Sequence, residues 1–471
     1  MIKCGDGKSY VFLLLLVFSL SGTVSGDEID RYLETQIKNL HIPGASLAVV
    51  HDGRIVKSKG YGVADLQANS PATPKTVYEI GSMTKQFTAV AVMMLAEEGK
   101  ISTDDKITKY FADAPAWWNQ ITVRHLLTHT SGIQNHVAVP DYLDLFKTSF
   151  TGREYPARDE IIKEFYKLPS EFAPGETWAY DNTGYYLLGI IIEKASGKNY
   201  WQFLEERIFK PLGMNQTRSS AARLVVPNRA AGYGWMTDHW ENRPVLAPFV
   251  ALSAGSILST VEDLAKWDAA LYEEKLLKKS SFEKMWTPTP TNDGQPAAFD
   301  YGFGWFIEKY RGARDIQHSG GTPGFSSVMH RFVDDRLAVI ILTNHADMIL
   351  DQIVLEIAGM YEPKLKYSAP AADPNPALSE KLKAIMTGLF AGKYDAENFT
   401  PAMRLHLKTA TGKSFFEWYA SMGTISSLTF LERETLETSD VFRYKVLLGT
   451  NPYRFSAKLT KDGKIAQIYW W

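Results

Sequence analysis

The hydrophobic pattern of this chain changes period twice, and no other feature restricts its fold as strongly. Residues 44–62 are typical of two strands joined by an Asp-Gly turn at 52–53, a strong hairpin signal. Over 84–98 the apolar residues recur at helical spacing, and Gly99 ends the run. Strands return over 326–344, with a turn at Asp334-Asp335. This order of strands, helices and strands predicts an α/β or α+β fold in which both ends of the domain share one sheet.

Two more helices are predicted between these strands. The segment TGYYLLGIIIEKASG at 183–197 is largely apolar and closes with Gly197, which indicates a mostly buried helix. Ser259 and Glu262 have the spacing of a capping box ahead of the next helix. The middle of the domain is therefore expected to be helical.

A change of composition near residue 363 predicts a second domain. Residues 363–377 are rich in Pro, Ala and polar residues, as linkers are. Beyond them the pattern predicts two helices and four strands, at 378–390, 412–422, 425–433, 441–448, 453–460 and 465–470. We therefore expect a main domain over 27–362 and a small α+β C-terminal domain over 378–471 with no catalytic motif of its own.

The first 26 residues have the order of a secretory signal peptide. Lys3 and Lys8 precede an apolar run at 11–20, and small residues follow at 24–26. The run is short for a membrane span, although an uncleaved N-terminal anchor is an alternative. The single cysteine, Cys4, lies ahead of the run, so the mature chain would have no thiol for disulfides or catalysis. These features predict a secreted or periplasmic protein without a stable membrane span after cleavage.

The charge and motif content argue against several classes of partner. The net charge of the 471 residues is −2 without a long basic run, so no nucleic acid is expected. No cofactor is expected. His125 and His129 have i,i+4 spacing, but the glutamate of the His-Glu-x-x-His zinc motif is missing, and no metal is expected. Trp117 and Trp118 could stack on cell-wall fragments, yet core packing is the favoured interpretation.

A serine and a lysine at the start of the first helix are candidates for catalysis. In YEIGSMTKQFTAV, Ser82 precedes Lys85 by three residues, which places both side chains on one helix face. A serine attacks only when a base removes its proton, and a lysine is such a base when its pKa is lowered. The helix N-terminus adds N–H groups that can stabilise an oxyanion. Ser281 and Lys284 have the same spacing, and Ser82 could be a simple N-cap.

Two further motifs contain groups that could assist such a serine. Tyr180-Asp-Asn182 lies in a loop ahead of the helix at 183–197. The tyrosine could share a proton with the serine–lysine pair and the asparagine could bind a substrate carbonyl, or Asn182 could cap the helix and Tyr180 could pack. His318-Ser-Gly320-Gly321 lies where the strands resume, and its two glycines allow a ligand to approach the backbone, or the histidine could be structural, as a histidine in a glycine-rich turn often is.

Taken in this order, the three motifs resemble those of the serine β-lactamases and penicillin-interacting enzymes. The class C-like branch has Ser-x-x-Lys, then Tyr-x-Asn, then Lys/His-x-Gly, and includes esterases, D-aminopeptidases and D,D-carboxypeptidases. HLLTHTSG and PLGM are also similar, and the resemblance covers roughly residues 27–360. It implies a β-lactamase/transpeptidase-like fold, with an antiparallel sheet flanked by helices and a helical subdomain.

The resemblance also implies roles for seven residues of one cleft. The catalytic groups would be those of Ser82, Lys85 and Tyr180. The substrate would be bound by Asn182, His318 and Gly320. The oxyanion hole would consist of the backbone N–H groups of Ser82 and Gly321.

One position departs from the β-lactamase pattern, because His318 stands where those enzymes have lysine. With an ordinary pKa near 6.5, His318 would be mostly neutral at pH 8 and would favour neutral substrates. We therefore expect a secreted serine hydrolase that forms an acyl-enzyme with short peptides, amides or esters, including those with a D-residue. A class C β-lactamase and a non-catalytic penicillin- or peptidoglycan-binding protein are the alternatives.

Overall fold

The computed structural model describes residues 26–138, 158–220, 224–245, 248–346, 348–366, 369–449 and 451–470. The expected signal peptide, apart from Gly26, and Cys4 lie outside these residues. No helix within the described ranges is both long and apolar enough to cross a membrane.

The described helices and strands follow the order expected from the hydrophobic pattern. The helices are α1 Gly26–Asn39, α2 Thr84–Glu97, α3 Val123–Leu127, α4 Arg158–Phe165, α5 Asn182–Ser196, α6 Tyr200–Leu204, α7 Lys210–Leu212, α8 Pro248–Ala251, α9 Val261–Ala270, α10 Lys279–Met285, α11 Asp351–Tyr361, α12 Pro376–Phe390, α13 Pro401–His406 and α14 Ala410–Ser421. The strands are β1 Gly44–His51, β2 Arg54–Asp65, β3 Ser70–Pro71, β4 Tyr78–Glu79, β5 Arg218–Ser219, β6 Tyr233–Trp235, β7 Trp240–Asn242, β8 Ile257–Ser259, β9 Phe306–Tyr310, β10 Ala313–Thr322, β11 Phe325–Phe332, β12 Leu337–Thr343, β13 Ile425–Thr435, β14 Ser439–Leu448, β15 Asn451–Thr460 and β16 Ile465–Trp470.

A seven-stranded antiparallel sheet forms the centre of the main domain, in the order β3-β2-β1-β12-β11-β10-β9. Strand β1 pairs with β12 over all but its first residue, from Ala45 opposite Thr343 to His51 opposite Leu337. The prediction that the two ends of the domain share one sheet is therefore confirmed, as is the predicted mixed α/β class.

The two faces of this sheet are covered by different helices, because alternate residues of a strand point to opposite sides. Ala48, Ile340 and Leu342 belong to the core that includes α2 and α5. Leu47 and Ile341 belong to a second core, which includes residues of α1 and α11. The helix that follows Ser82 therefore packs against the inner face of the sheet.

The predicted helix ends are correct at two sites and wrong at a third. Helix α2 ends just before Gly99, and α5 ends at Gly197, whose φ is +69°. The capping box of Ser259 and Glu262 is wrong by one residue. The N-cap of α9 is Thr260, whose side chain accepts a hydrogen bond from the N–H of Asp263.

The C-terminal residues form a four-stranded antiparallel sheet, β13-β14-β15-β16, packed with α12, α13 and α14. Their apolar core also includes Trp178, Phe299 and Tyr301 of the main domain. The small α+β C-terminal fold is thus as predicted, although α13 is a third helix beyond the two that were expected. The division of the chain at 363–377 remains a prediction, since the two parts share this core.

A buried histidine between two carboxylates joins the outer face of the sheet to α11. Nδ1 of His330 lies 2.7 Å from Oδ2 of Asp315, and Nε2 lies 3.0 Å from Oδ1 of Asp351. Burial alone would lower the pKa of the imidazole. The negative charges of the two carboxylates, and the hydrogen bonds that the ring donates to them, outweigh burial and raise the pKa to about 10.

We expect His330→Gln to lower the free energy of unfolding by about 3–5 kcal/mol at pH 6, because the buried carboxylate of Asp315 and the partly buried one of Asp351 lose their cation. Since the folded pKa is raised, the stabilisation is complete below the unfolded pKa near 6.5 and is lost as pH rises towards 10. Urea unfolding of the wild type and the variant at several pH values should show a difference in the free energy of unfolding that becomes smaller as the pH rises. Exposed His239→Gln is the matched control, and a difference independent of pH would contradict the prediction.

Candidate active site

Ser82 lies in a short turn, Gly81–Met83, that leads directly into α2 and rests against strand β10. Gly81 has φ of +50°, and a Cβ atom added to it would lie 2.7 Å from the backbone N of Gly321. A Cβ atom on Gly320 would lie 2.1 Å from the carbonyl O of Ile80 and 2.9 Å from the backbone N of Ser82. Glycine is required at both positions, and it lets the N–H groups of Ser82 and Gly321 lie close together.

Lys85 lies one helical turn after Ser82 and is fully buried. Its Nζ donates hydrogen bonds to Oγ of Ser82 at 3.1 Å, to Oδ1 of Asn182 at 2.8 Å and to the carbonyl O of Ala254 at 2.8 Å. Burial lowers the pKa of the amine well below its ordinary value, whereas the charge of Asp181 opposes that shift. A lysine whose pKa is lowered in this way releases its proton more readily than a solvated lysine and can then accept one from the serine.

Tyr180 completes the group around Ser82. The Nζ atom of Lys85 lies 4.6 Å from the centre of the Tyr180 ring, and the imidazole of His129 packs on that ring at 4.4 Å between centroids. Burial raises the pKa of the Tyr180 hydroxyl, while its hydrogen bond with the Ser82 hydroxyl opposes the shift. The tyrosine is therefore protonated at physiological pH and can donate a proton.

Asn182 is held in place from both ends of its side chain. Its Oδ1 accepts from Lys85, and its Nδ2 donates to Oδ1 of Asn135 at 3.3 Å. The alternative that Asn182 caps the helix is wrong, because Asp181 is the N-cap and accepts from the N–H groups of Thr183 and Gly184. Asn182 is instead the first residue of α5, and its side chain points towards the amine of Lys85.

Three residues of this site were missed by the sequence analysis: Asn135, His129 as a packing partner, and Asp181. The first two lie in or just after HLLTHTSG, a stretch singled out only by its similarity to the family. Asp181 lies inside the tyrosine motif but at its variable position. Its N–H donates to Nδ1 of His129 at 3.0 Å, and burial raises the pKa of its carboxyl group to about 7 against the hydrogen bonds from the helix start.

His318 lies beside the site on β10, but both of its ring nitrogens are already used. Nδ1 donates to the carbonyl O of Ser319 at 2.6 Å, so Nε2 accepts from the hydroxyl of Tyr301 at 3.1 Å. Burial, together with the charge of Lys85, lowers the pKa of the imidazole to about 3. The ordinary pKa assumed for His318 is therefore wrong, and the ring is neutral at pH 6 as well as at pH 8.

The competing interpretations of other residues do not form comparable sites. Ser281 donates to Glu97, and Lys284 donates to Oγ1 of Thr103, so this second pair is not joined. No cluster of three His, Cys, Asp or Glu ligands is present in the described part of the chain. Trp118 is fully buried, which confirms core packing for that residue.

We expect a fluorophosphonate probe to label Ser82, because among the serines that the structure describes only this one has a buried amine in contact. Ser82→Ala should abolish labelling, and Lys85→Met should slow it by on the order of a hundredfold, the usual contribution of a general base. Intact-mass measurement after treatment would check both. Ser281→Ala and Lys284→Met are the matched controls and should label like the wild type, and an adduct on the Ser82→Ala protein would contradict the assignment.

The sequence matches the model of a protein family described as "Beta-lactamase" over residues 29–358. It is also similar to "Penicillin-binding protein 4*" of Bacillus subtilis (strain 168), with 31% identity over 422 residues, which cover 84% of this chain and 90% of that protein.

Two solved structures have a similar fold. The octameric penicillin-binding protein homologue from Pyrococcus abyssi matches 93% of this chain and 96% of its own, with a TM-score of 0.60 and 24% identity. The D-amino acid amidase from Ochrobactrum anthropi SV3 matches 72% of this chain and 97% of its own, with a TM-score of 0.60 and 25% identity.

Proposed function

This chain belongs to the beta-lactamase family, whose members are typically serine hydrolases, and we propose that it hydrolyses neutral amides, short peptides and esters through an acyl-enzyme on Ser82. The observation that carries the proposal is the buried amine of Lys85, 3.1 Å from Oγ of Ser82. A solvated lysine would stay charged and could not accept the serine proton.

Acylation follows from the contacts of Lys85. When the amine has lost one proton, two N–H groups keep their bonds to Asn182 and Ala254, and the lone pair faces Oγ of Ser82. The amine takes the hydroxyl proton as Oγ bonds to the substrate carbonyl carbon. The negative charge that develops on the carbonyl oxygen is stabilised by the N–H groups of Ser82 and Gly321.

Release of the two products needs one proton donor and one water molecule. The protonated hydroxyl of Tyr180 gives its proton to the leaving nitrogen or oxygen, and the ammonium of Lys85 returns a proton to the tyrosine. Water then attacks the acyl carbon, and its proton passes to Lys85. The carboxylic acid leaves, and Oγ of Ser82 recovers its hydrogen.

The neutral state of His318 supports neutral substrates over carboxylate-bearing β-lactams. A lysine in that position could pair with a substrate carboxylate at any physiological pH, whereas a neutral imidazole with both nitrogens bonded offers no charge. The similarity to a D-amino acid amidase favours amides with a D-residue. A class C β-lactamase is the second candidate, supported by the family match.

A non-catalytic binding protein is less well supported, because Lys85, Tyr180 and Asn182 all keep contacts suited to catalysis. The order of charges and apolar residues over 1–26 supports secretion, or retention by that segment as an anchor. A protein outside the cytoplasm could meet cell-wall fragments, which contain D-residues.

The pH dependence of kcat/KM should report the amine of Lys85. Because burial lowers the pKa of this amine, activity should increase with pH through one limb. It should reach its plateau at a pH below the ordinary lysine pKa, which is near 10.4. We expect activity to be present above the lowered pKa and to be lost as pH falls through it. The measurement is a pH profile with a neutral p-nitrophenyl ester.

Asp181 is a second group near Lys85 whose titration could produce such a limb, because burial raises the pKa of its carboxyl group to about 7. Asp181→Asn keeps a cap acceptor but removes the charge that opposes the shift of Lys85, so the limb should move to lower pH. If the limb disappears in this variant, it belongs to Asp181 and not to the lysine.

His318→Lys should move the substrate preference towards carboxylates, because an ammonium replaces a neutral ring. In the wild type the kcat/KM ratio of a p-nitrophenyl ester to nitrocefin should be the same at pH 6 and pH 8, since the imidazole is neutral at both. In the variant the ratio should fall by roughly tenfold, as for one new charge-assisted hydrogen bond. An unchanged ratio would show that position 318 does not face the charge of the substrate.

A further inference from the structure

Helix α14 of the C-terminal part forms one wall of a cavity beside Tyr180. The cavity has a volume of ≈440 Å³ and is lined on one side by Asn135, Tyr180 and Phe306 and on the other by Phe415 and Trp418 of α14. The site therefore includes residues more than two hundred positions further along the chain than its tyrosine motif.

The same wall extends along strand β10. A second cavity, of ≈310 Å³, adjoins the backbone of Gly320 and Gly321 and shares Phe306, Phe415 and Trp418 with the first. The aromatic rings of α14 thus face both the tyrosine and the strand that carries the expected oxyanion-hole N–H group.

The cavity beside Tyr180 is neutral and largely aromatic. None of the described residues that line it is Asp, Glu, Lys or Arg. The one histidine, His406, is neutral because burial lowers its pKa to about 4. Trp418 is 36% exposed, although it is a large apolar residue. A neutral cavity with an accessible indole fits an apolar or aromatic group and does not fit a charged one.

Three hydrogen bonds hold α14 and its neighbours onto the loop that carries Tyr180. Oγ1 of Thr411 donates to the carbonyl O of Tyr180 at 2.8 Å, Nδ1 of His406 donates to the carbonyl O of Trp178 at 3.0 Å, and Oγ1 of Thr177 donates to the carbonyl O of Ala402 at 2.8 Å. The wall is therefore fixed relative to the catalytic tyrosine, as a specificity pocket must be.

We propose that Phe415 and Trp418 form an aromatic subsite that selects substrates with a bulky apolar or aromatic group on the acyl side of the scissile bond. The inference rests on the proposed function and names the substrate class of that site. The acyl side is inferred from Asn135, which lines the cavity and holds Asn182, the residue expected to bind the substrate amide. Tyr180, the proposed proton donor to the leaving group, lines the same cavity, so selection of the leaving group is the result that would overturn this placement.

The test compares substrates that differ only in the acyl group. The measured quantity is kcat/KM for two pairs of substrates. p-Nitrophenyl phenylacetate and p-nitrophenyl acetate share one leaving group, and the p-nitroanilides of D-phenylalanine and D-alanine share another. The wild type should prefer the aromatic member of each pair. Trp418→Ala should reduce that preference roughly tenfold, the scale expected for lost apolar contact in a pocket, and Trp418→Phe should give an intermediate value.

Tyr453→Ala is the control, because this aromatic residue of the same C-terminal part lines a different cavity. It should leave the preference unchanged, and thermal unfolding should show that each variant is folded. Equal preference in the wild type and Trp418→Ala would overturn the subsite, as would a preference that follows the leaving group. If the fluorophosphonate probe does not label Ser82 of the wild-type protein, the proposed function is overturned and not only the subsite.

Discussion

The whole site depends on one amine that is kept out of water. An ammonium without solvent is costly, so the protein surrounds Nζ of Lys85 with three oxygen acceptors and places one carboxyl group, that of Asp181, nearby. Each acceptor comes from a different part of the chain. The hydrogen bonds of this one amine therefore hold together the turn that leads into α2, the start of α5 and the turn at Leu252–Ala254.

The second constraint is the close contact of two backbones. The turn that carries Ser82 approaches β10 so closely that side chains are excluded at Gly81 and Gly320. Oγ of Ser327 on the next strand donates to the carbonyl O of Ile80, which fastens this turn to the sheet. The position of Ser82 is thus set by hydrogen bonds and packing of the backbone more than by its own side chain.

Much of this arrangement could be predicted because its signals are local. The periodicity of α2 and α5 and the glycines that end them give the helices, and the order of three short motifs brings Ser82, Lys85, Tyr180 and Asn182 together. The errors lie where neighbouring residues compete for the same role, because Asp181 and Asn182 can both cap a helix, as can Ser259 and Thr260. The aromatic wall of α14 could not be predicted, because periodicity shows that a helix has an apolar face but not which distant surface that face meets.

The pairing of β1 with β12 has a consequence for how the chain folds. The N–H of Gly44 donates to the side chain of Asn344, 300 residues later, and β1 is an interior strand that lies next to the central strand β12. Strand β1 therefore lacks its β12 neighbour until nearly the whole domain has been synthesised. Closure of such a distant contact is slow and costly in chain entropy. The central sheet of the main domain is therefore expected to close only late in synthesis, after β12 has been made.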